Sequence, residues 1–258
     1  MQSAPIRATG EEPGRDPREN GLTDPARTDV SDDDAFGEPA ALSPEEKLAA
    51  LEEAVARHPL NRETLYKILV YCAKERALED MEREIASWPE FRGATQNQRR
   101  MAETLVRAHG LERKEYDADG AAITPKRMEG LGEDEASDLA ASIAYRTTEA
   151  GARFVERHRP RARLEELLRL SPDRAPAYLE LLAFAAEKPR TYGEVVGLLR
   201  GRPVLETAID GARLTMQPSV LVDKLERCGA LVWDDGWTAT EEGRAFLRER
   251  KAREDGSE

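Results

Sequence analysis

The sequence has few of the residues that carry redox, metal or covalent chemistry. Two cysteines and three histidines occur in 258 residues, and no cysteine stands at a metal-ligand spacing from a histidine. Cys72 and Cys228 fall on apolar helix faces, which predicts buried thiols in a reducing compartment rather than a disulfide framework. The stretch from Gly197 to Gly201 lacks the lysine and the preceding strand of a P-loop. We therefore expect a non-enzymatic protein with no metal and no cofactor.

Long hydrophobic runs and aromatic side chains are also scarce. No apolar run approaches the ~20 residues that a bilayer-spanning helix needs, and the N-terminus lacks a basic-then-apolar signal pattern. These absences predict a cytoplasmic protein with no membrane partner. Aromatic residues make up 5% of the chain and charged residues 35%, a composition that favours small helical domains over a large β-rich core.

Acidic charge is concentrated at the N-terminus. Residues 1–50 carry 5 basic and 12 acidic groups, whereas residues 62–158 carry 16 and 19 and residues 161–258 carry 16 and 18. Segment 1–41 is also rich in proline and glycine, which predicts a disordered acidic tail. Such a tail is either an inert solubilising arm or a competitor for a basic partner surface. The remainder is nearly neutral and has no basic footprint.

Three apolar blocks of the sequence recur in the same order, which indicates two copies of one small domain. The matched pairs are 65–73 with 178–186, 101–107 with 221–227, and 145–154 with 237–246. The separation between matched residues rises from 114 to 120 before the third helix of each copy and falls to 92 before the last helix. The second copy thus gains six residues in one loop and loses 28 in another, as loops tolerate.

Apolar periodicity, caps and turn residues predict three helices, a hairpin and a closing helix in each copy. In the first copy the helices are 63–74, 78–87 and about 95–109, the hairpin turns at Asp119-Gly120, and Thr148 caps the last helix. In the second copy they are 175–187, 191–199 and 218–228, with a turn at Asp235-Gly236 and a last helix from Thr240 to about 250.

The expected domain layout has six parts. They are a disordered acidic tail (1–41), an amphipathic packing helix capped by Ser43 (42–60), a first domain (61–158), an amphipathic linker helix (159–173), a second domain (174–252) and a disordered C-terminal tail (253–258).

The junction Trp237-Thr238-Ala239-Thr240-Glu241-Glu242-Gly243 resembles the strand-to-helix junction of bacterial winged-helix regulators of the multiple-antibiotic-resistance and phenolic-acid-response types. The stretch from Lys224 to Val232 resembles the end of their recognition helix and the strand that follows. The resemblance covers about 63–157 and 175–250, and no single family matches the whole chain. It implies a mainly α fold with small β-hairpins (α+β), built as two tandem winged-helix domains joined by an amphipathic helix.

In winged-helix domains the third helix enters the major groove and the wing meets the backbone or minor groove. The resemblance therefore implies a transcription regulator whose partner is duplex DNA. Amide side chains can read adenine, and arginine can read guanine or grip phosphate. The candidate contacts are Gln96, Asn97, Gln98, Arg99, Arg100, Arg107, Arg113 and Lys114 in the first copy, and Arg213, Gln217, Ser219 and Lys224 in the second. The simpler alternative is a solvated helix face with intrahelical pairs such as Glu103–Arg107.

A second hypothesis is a tandem winged-helix adaptor that binds proteins without direct DNA contact, as in chromosome-condensation accessory subunits. The near-neutral domains, the acidic tail and the acidic wing tip at Asp234-Asp235-Gly236 favour it. A homodimer through helix 43–58 or the last helix is a further option. A continuous positive strip across both third helices would favour DNA, whereas a mixed or apolar surface would favour the adaptor.

Overall fold

The computed structural model describes residues 42–129, 132, 139–209 and 212–256, without the side chains of 207–209, 212 and 213. The expected tail 1–41 and the acidic run 133–135 lie outside the described residues. Within them the chain is mainly helical with a few short antiparallel strands, which confirms the α+β composition expected from the sequence. Both copies of the repeat belong to one compact unit.

A packing helix, α1 (Pro44–Ala56), precedes the first copy. The copy itself contains three long helices, a short helix, a small sheet and a closing helix. Its helices are α2 (Arg62–Tyr71), α3 (Leu78–Ser87), α4 (Gln98–Arg107), the short α5 (Pro125–Met128) and the closing α6 (Glu149–Arg157), with a 3-10 helix at Pro89–Gly93. Its strands are β1 (Arg76–Ala77), β2 (Leu111–Tyr116) and β3 (Ser142–Thr147), which form an antiparallel sheet in the order β1-β3-β2.

The hairpin of the first copy differs from the expected one. Asp119 and Gly120 do form a turn, in which Gly120 has a φ of 77° and its N–H donates to Asp117 O at 3.0 Å. That turn supports only an isolated bridge between Tyr116 and Ala122. The full partner of β2 is β3, far along the chain. The Asp-Gly signal located a turn correctly but not the strand pair, because register is decided by burial rather than by the nearest turn.

The second copy repeats this order after a helix of its own. Its helices are α7 (Pro160–Leu170), α8 (Ala175–Glu187), α9 (Tyr192–Leu199), α10 (Ser219–Arg227) and α11 (Glu241–Asp255), with 3-10 helices at Pro172–Arg174 and Pro203–Leu205. Its strands form two hairpins, β4 (Glu206–Ile209) with β5 (Ala212–Thr215) and β6 (Leu231–Trp233) with β7 (Trp237–Ala239).

Two features of the second copy depart from expectation. The β4–β5 hairpin precedes α10, where the six extra residues were expected to lengthen a loop. Helix α11 continues to Asp255, so residues 253–255 belong to the helix and not to a tail. In the last turns of α11, Arg250 Nε pairs with Glu254 Oε1 at 3.0 Å, an i,i+4 contact that favours continued helix.

The recurring apolar blocks build two separate cores, one in each copy. The fully buried side chains of the first core include Leu51, Leu65, Ile68, Leu69, Met81, Ile85, Met101 and Leu105, and those of the second include Leu181, Leu182, Val195, Leu199, Leu221 and Leu225. Matched pairs such as Leu69 with Leu182 are therefore both core residues. The repeat in sequence reflects a repeat in packing, since buried positions tolerate few alternatives in size.

The entry into the closing helix of the first copy is held by one threonine. Thr148 caps α6, where its Oγ1 accepts from Gly151 N at 3.1 Å and donates to His109 O at 2.6 Å. Gly151 packs directly on Gly110 O, and a Cβ at this position would overlap that oxygen. The junction therefore ties the end of α4 to the start of α6.

The second copy builds the same junction from matched residues. Thr240 Oγ1 accepts from Gly243 N at 3.1 Å and donates to Gly229 O at 2.7 Å. A Cβ on Gly243 would lie 2.5 Å from Ala230 O. The second residue after each third helix has a positive φ, 62° at His109 and 70° at Gly229. The two copies thus share hydrogen bonds and backbone conformation as well as apolar pattern.

Candidate nucleic-acid interface

The start of α4 places two of the expected DNA-reading amides in structural roles. The helix begins at Gln98 and not near 95, because Asn97 is its N-cap: Asn97 Oδ1 accepts from Arg100 N at 2.8 Å. Gln96 Oε1 is buried and accepts no hydrogen bond within the described residues. The side-chain oxygen of Asn97 is thus used by the cap although the residue is exposed, that of Gln96 is buried, and Gln98 is half-buried.

The exposed face of α4 carries arginines. Arg100 and Arg107 are exposed and lie two turns apart on one side of the helix. In the part of the chain that the structure describes, neither forms an ion pair, and the Glu103–Arg107 pair that the spacing allows is not closed. Arg99 is exposed as well, with Nε 3.6 Å from Glu82 Oε1 on α3. Two uncommitted guanidiniums thus remain on this face.

Strand β2 separates the two basic residues expected in the hairpin. Successive side chains of a strand point to opposite faces. Arg113 Nη2 lies 2.6 Å from Glu115 Oε1, on the sheet face that packs toward the helices. Lys114 Nζ lies 2.8 Å from Glu75 Oε2, on the other face. The structure therefore brings Arg113 together with α4 and turns Lys114 away from it.

Charges of both signs surround buried Tyr145 on the α4 side of the sheet. Burial raises the pKa of its phenol, and the charges of Arg113, Glu103, Arg99 and Glu82 act on it in alternating directions. Carboxylates and guanidinium groups therefore both lie near Tyr145. The face is mixed in charge, not a continuous positive strip.

On the far side of the sheet, Glu75 joins two residues of β2. Its carboxylate accepts from Lys114 Nζ at 2.8 Å and from the hydroxyl of Tyr116. These hydrogen bonds lower the pKa of Glu75, and the bond to Glu75 raises the pKa of Lys114. The side chains of Lys114 and Glu75 are 28% and 34% exposed, so this pair is partly screened by solvent.

One side of the third helix of the second copy faces the first copy, and another side faces solvent. Asp223, Glu226 and Arg227 of α10 line a cleft of about 470 Å³ whose other side is built from the first copy. Gln217, Ser219 and Lys224 are exposed. Arg213 lies on β5, and its side chain is outside the described part. Three of the four expected contacts of the second copy are thus exposed, and the fourth has no described side chain.

The acidic tip of the β6–β7 turn also contacts the first copy. Arg92, on the 3-10 helix that follows α3, has Nη1 2.8 Å from Asp234 Oδ1 and 3.6 Å from Asp235 Oδ1. The sequence offered no signal for this pair, because its partners are 142 positions apart and have no counterpart in the repeat. The acids of the wing tip, which the sequence suggested as a feature of a protein adaptor, are therefore paired with a guanidinium of the same chain.

A buried ion pair joins the two copies at the end of α10. Arg163 on α7 donates through both terminal nitrogens to Glu63 on α2, with Nη2–Oε2 at 2.9 Å. Its Nη1 also donates to Arg227 O at 2.6 Å. The two side chains are only 10% and 16% exposed. This pair fixes the end of α10 against the first copy.

Arg146, which the sequence did not single out, lies on the same face of the sheet as Lys114. It is exposed on β3, opposite Glu112 in the register of the β2–β3 pair. It was missed because the second strand of the hairpin was expected near 121–124. With the correct strand, the alternation of side chains would have placed Arg146 on an exposed face.

No three or more histidine, cysteine, aspartate or glutamate side chains of the described residues are placed to hold a metal ion. None of the described helices has the length and apolarity to cross a bilayer. The chain matches no protein-family model, no curated protein and no solved structure.

Proposed function

We propose that this chain is a tandem winged-helix DNA-binding protein that acts as a transcriptional regulator, with the first copy supplying the contacts. The observation that carries the proposal is the pair Arg100 and Arg107, exposed on one face of α4 without an ion pair among the described residues. Both copies contain three helices, an antiparallel strand pair and a closing helix in this order, and the second copy adds the β4–β5 hairpin before its third helix. Between the first two helices the first copy has β1, and the second has an isolated bridge from Arg190 to Trp237. This shared order supports the winged-helix assignment.

The geometry of α4 suits a major groove. Its ten residues span roughly 15 Å, and a major groove is wide enough to admit one helix. Gln98 and Arg99 at the N-terminal end would meet base edges, as the first residues of recognition helices do. Arg100 and Arg107 would grip phosphate, and phosphate would displace Glu82 from Arg99 and Glu115 from Arg113. Exposed pairs of this kind are weak, so the exchange costs little.

The second copy would contribute less to binding. Because Asp223 and Glu226 face the cleft, α10 cannot enter a groove along its whole length while the two copies are in contact. Lys224 and Ser219 remain exposed and could touch phosphate at the edge of the complex. Binding is therefore expected to depend mainly on α4.

A fluorescence-anisotropy titration of a mixed-sequence 30-base-pair duplex at low salt tests the proposal. Binding by wild type should weaken steeply with salt, and Arg100→Gln/Arg107→Gln should reduce the slope of log K against log salt by roughly 0.9 for each lost phosphate contact. The matched control is Arg83→Gln on α3, an exposed arginine that pairs with Asp80. Equal binding by wild type and the double variant, or none by wild type, would refute DNA contact through α4.

The second candidate function is a tandem winged-helix adaptor for a protein partner. The mixed charge around Tyr145 favours it, since alternating carboxylates and guanidiniums suit a protein surface better than a phosphate backbone. The same titration separates the candidates. No DNA retention at low salt, together with a purified partner that wild type binds and Arg99→Glu releases, would select the adaptor.

A further inference from the structure

The cleft between the copies has the size of a ligand site. Its volume of about 470 Å³ falls within the ~300–1,000 Å³ usual for small-molecule pockets. One side comes from the first copy, at the start of α2 and along the 3-10 helix at Pro89–Gly93. The other comes from α10 and β6 of the second copy. The DNA surface on α4 does not contribute to it.

Most charged groups of the cleft are already paired. Glu63 is held by Arg163, Glu90 Oε2 lies 2.9 Å from Lys67 Nζ, and Asp223 Oδ1 lies 2.9 Å from Arg227 Nε. Arg92 is held by the acids of the β6–β7 turn. Because the charges of these groups are already neutralised within the chain, they do not require a charged ligand.

Two charges of opposite sign are left over. Glu226 and Arg62 are both half-buried, and neither forms an ion pair or a side-chain hydrogen bond within the described residues. Burial raises the pKa of Glu226 and lowers the pKa of Arg62, which means that each charged form lacks compensation. Both groups line the same cleft, Arg62 from the first copy and Glu226 from the second.

The remainder of the lining is apolar. Leu231 and Val232 lie buried on β6, and at the rim Leu60 and Trp233 are 69% and 44% exposed. The Trp233 ring is held at 5.4 Å in an edge-to-face contact with Trp237. Large exposed apolar side chains beside uncompensated charges are typical of a binding surface.

We propose that this cleft binds a small zwitterion of the α-amino acid type with an apolar side chain. Its ammonium group pairs with Glu226, its carboxylate pairs with Arg62, and its side chain lies between Leu60 and Trp233. A single-charge ligand would satisfy one group and leave the other unpaired, which disfavours it. The proposal does not depend on DNA binding.

Isothermal titration of the full chain tests this with three amino acids (phenylalanine, leucine and tryptophan) and two single-charge analogues, 2-phenylethylamine and 3-phenylpropionate. At least one amino acid should bind saturably. Phenylalanine should bind at least about tenfold more tightly than either analogue, which corresponds to ~1.4 kcal/mol. Saturable binding by none of the three amino acids would overturn the proposal.

Two variants assign the charges. Glu226→Gln should weaken phenylalanine and 2-phenylethylamine while leaving 3-phenylpropionate unchanged. Arg62→Gln should weaken phenylalanine and 3-phenylpropionate while leaving 2-phenylethylamine unchanged. Glu53→Gln and Arg57→Gln remove an exposed pair on α1, outside the cleft, and serve as matched controls. Thermal melts confirm that each variant is folded. If both cleft variants bind phenylalanine as wild type does, the ligand is held elsewhere and the assignment is wrong.

Discussion

The two copies have the same frame but place their third helices differently. In the first, α4 leaves Arg100 and Arg107 at the surface, whereas in the second, α10 turns Asp223 and Glu226 into the cleft. The apolar blocks and the threonine junction determine how each copy folds. The polar residues between these blocks determine whether the third helix presents its side chains to solvent or to the other copy.

Matched positions show where the copies diverge. Glu103 and Arg107 correspond to Asp223 and Arg227, both at i,i+4 spacing. The second pair is closed, with Oδ1–Nε at 2.9 Å, and the first is open. The Asp223–Arg227 pair is exposed and therefore weak, so the copies differ in the side chains that surround the arginine and not in the strength of its pairing.

Among the substitutions that test this comparison, the largest effect is expected at the buried Arg163–Glu63 ion pair between the copies. Arg163→Met would leave the Glu63 carboxylate and Arg227 O without their buried partner, and should lower the free energy of unfolding by about 3–5 kcal/mol. Urea unfolding followed by circular dichroism measures it. We expect the single transition of wild type to separate into two, because the copies have independent cores.

Two further variants serve as controls for Arg163→Met. Glu63→Gln/Arg163→Met removes both charges and should recover part of the loss. Arg92→Gln breaks a pair between the copies whose side chains are exposed, so it should change stability little. Wild-type stability in Arg163→Met would show that the two copies are not held together by this pair.

A smaller and equal effect is expected at the two junction glycines. Gly151→Ala and Gly243→Ala would each push a Cβ into a backbone carbonyl, and should each cost roughly 1–3 kcal/mol. Gly197→Ala on α9 is the matched control, because its Cβ meets nothing within 4 Å and a helix-interior alanine should stabilise by about 1 kcal/mol. If thermal melts show that only one of the two substitutions, Gly151→Ala or Gly243→Ala, lowers the Tm, the two junctions are not equivalent.

Local signals predicted much of the fold. Helices 78–87 and 175–187 match α3 and α8 at both ends, and Ser43, Thr148 and Thr240 are the expected caps. These features depend on neighbouring residues and on apolar periodicity, which sequence displays directly. Strand β3 was missed because its pairing with β2 spans a long insertion.

The candidate surfaces were harder to predict. Gln96 and Asn97 looked like DNA-reading amides, since a cap and a base contact use the same residue types. The cleft was invisible, because Arg62, Glu226 and Arg163 come together only when the copies pack. Contacts between copies carry no periodic signal.

The smallest expected effect on stability is at Glu226, whose counterpart in the first copy is the uncharged Val106. Burial, then the charges of Asp223 and Glu63, raise the pKa of Glu226 in the folded chain. A carboxyl group whose folded pKa exceeds its unfolded value stabilises the fold when protonated, and that contribution is lost as pH rises from the unfolded value through the folded one. Glu226→Gln should therefore increase the Tm at pH 7, by on the order of 2 °C.

The increase should shrink as pH falls, because wild-type Glu226 then takes up its proton and becomes as neutral as glutamine. Glu103→Gln on the exposed side of α4 is the matched control and should change the Tm little, because substitutions at exposed positions have small effects on stability. A Tm difference for Glu226→Gln that is independent of pH would mean that side-chain shape, not uncompensated charge, distinguishes α10 from α4. In that case the cleft would offer a ligand no unpaired carboxylate, and the contrast between the two third helices would rest on the arginines alone.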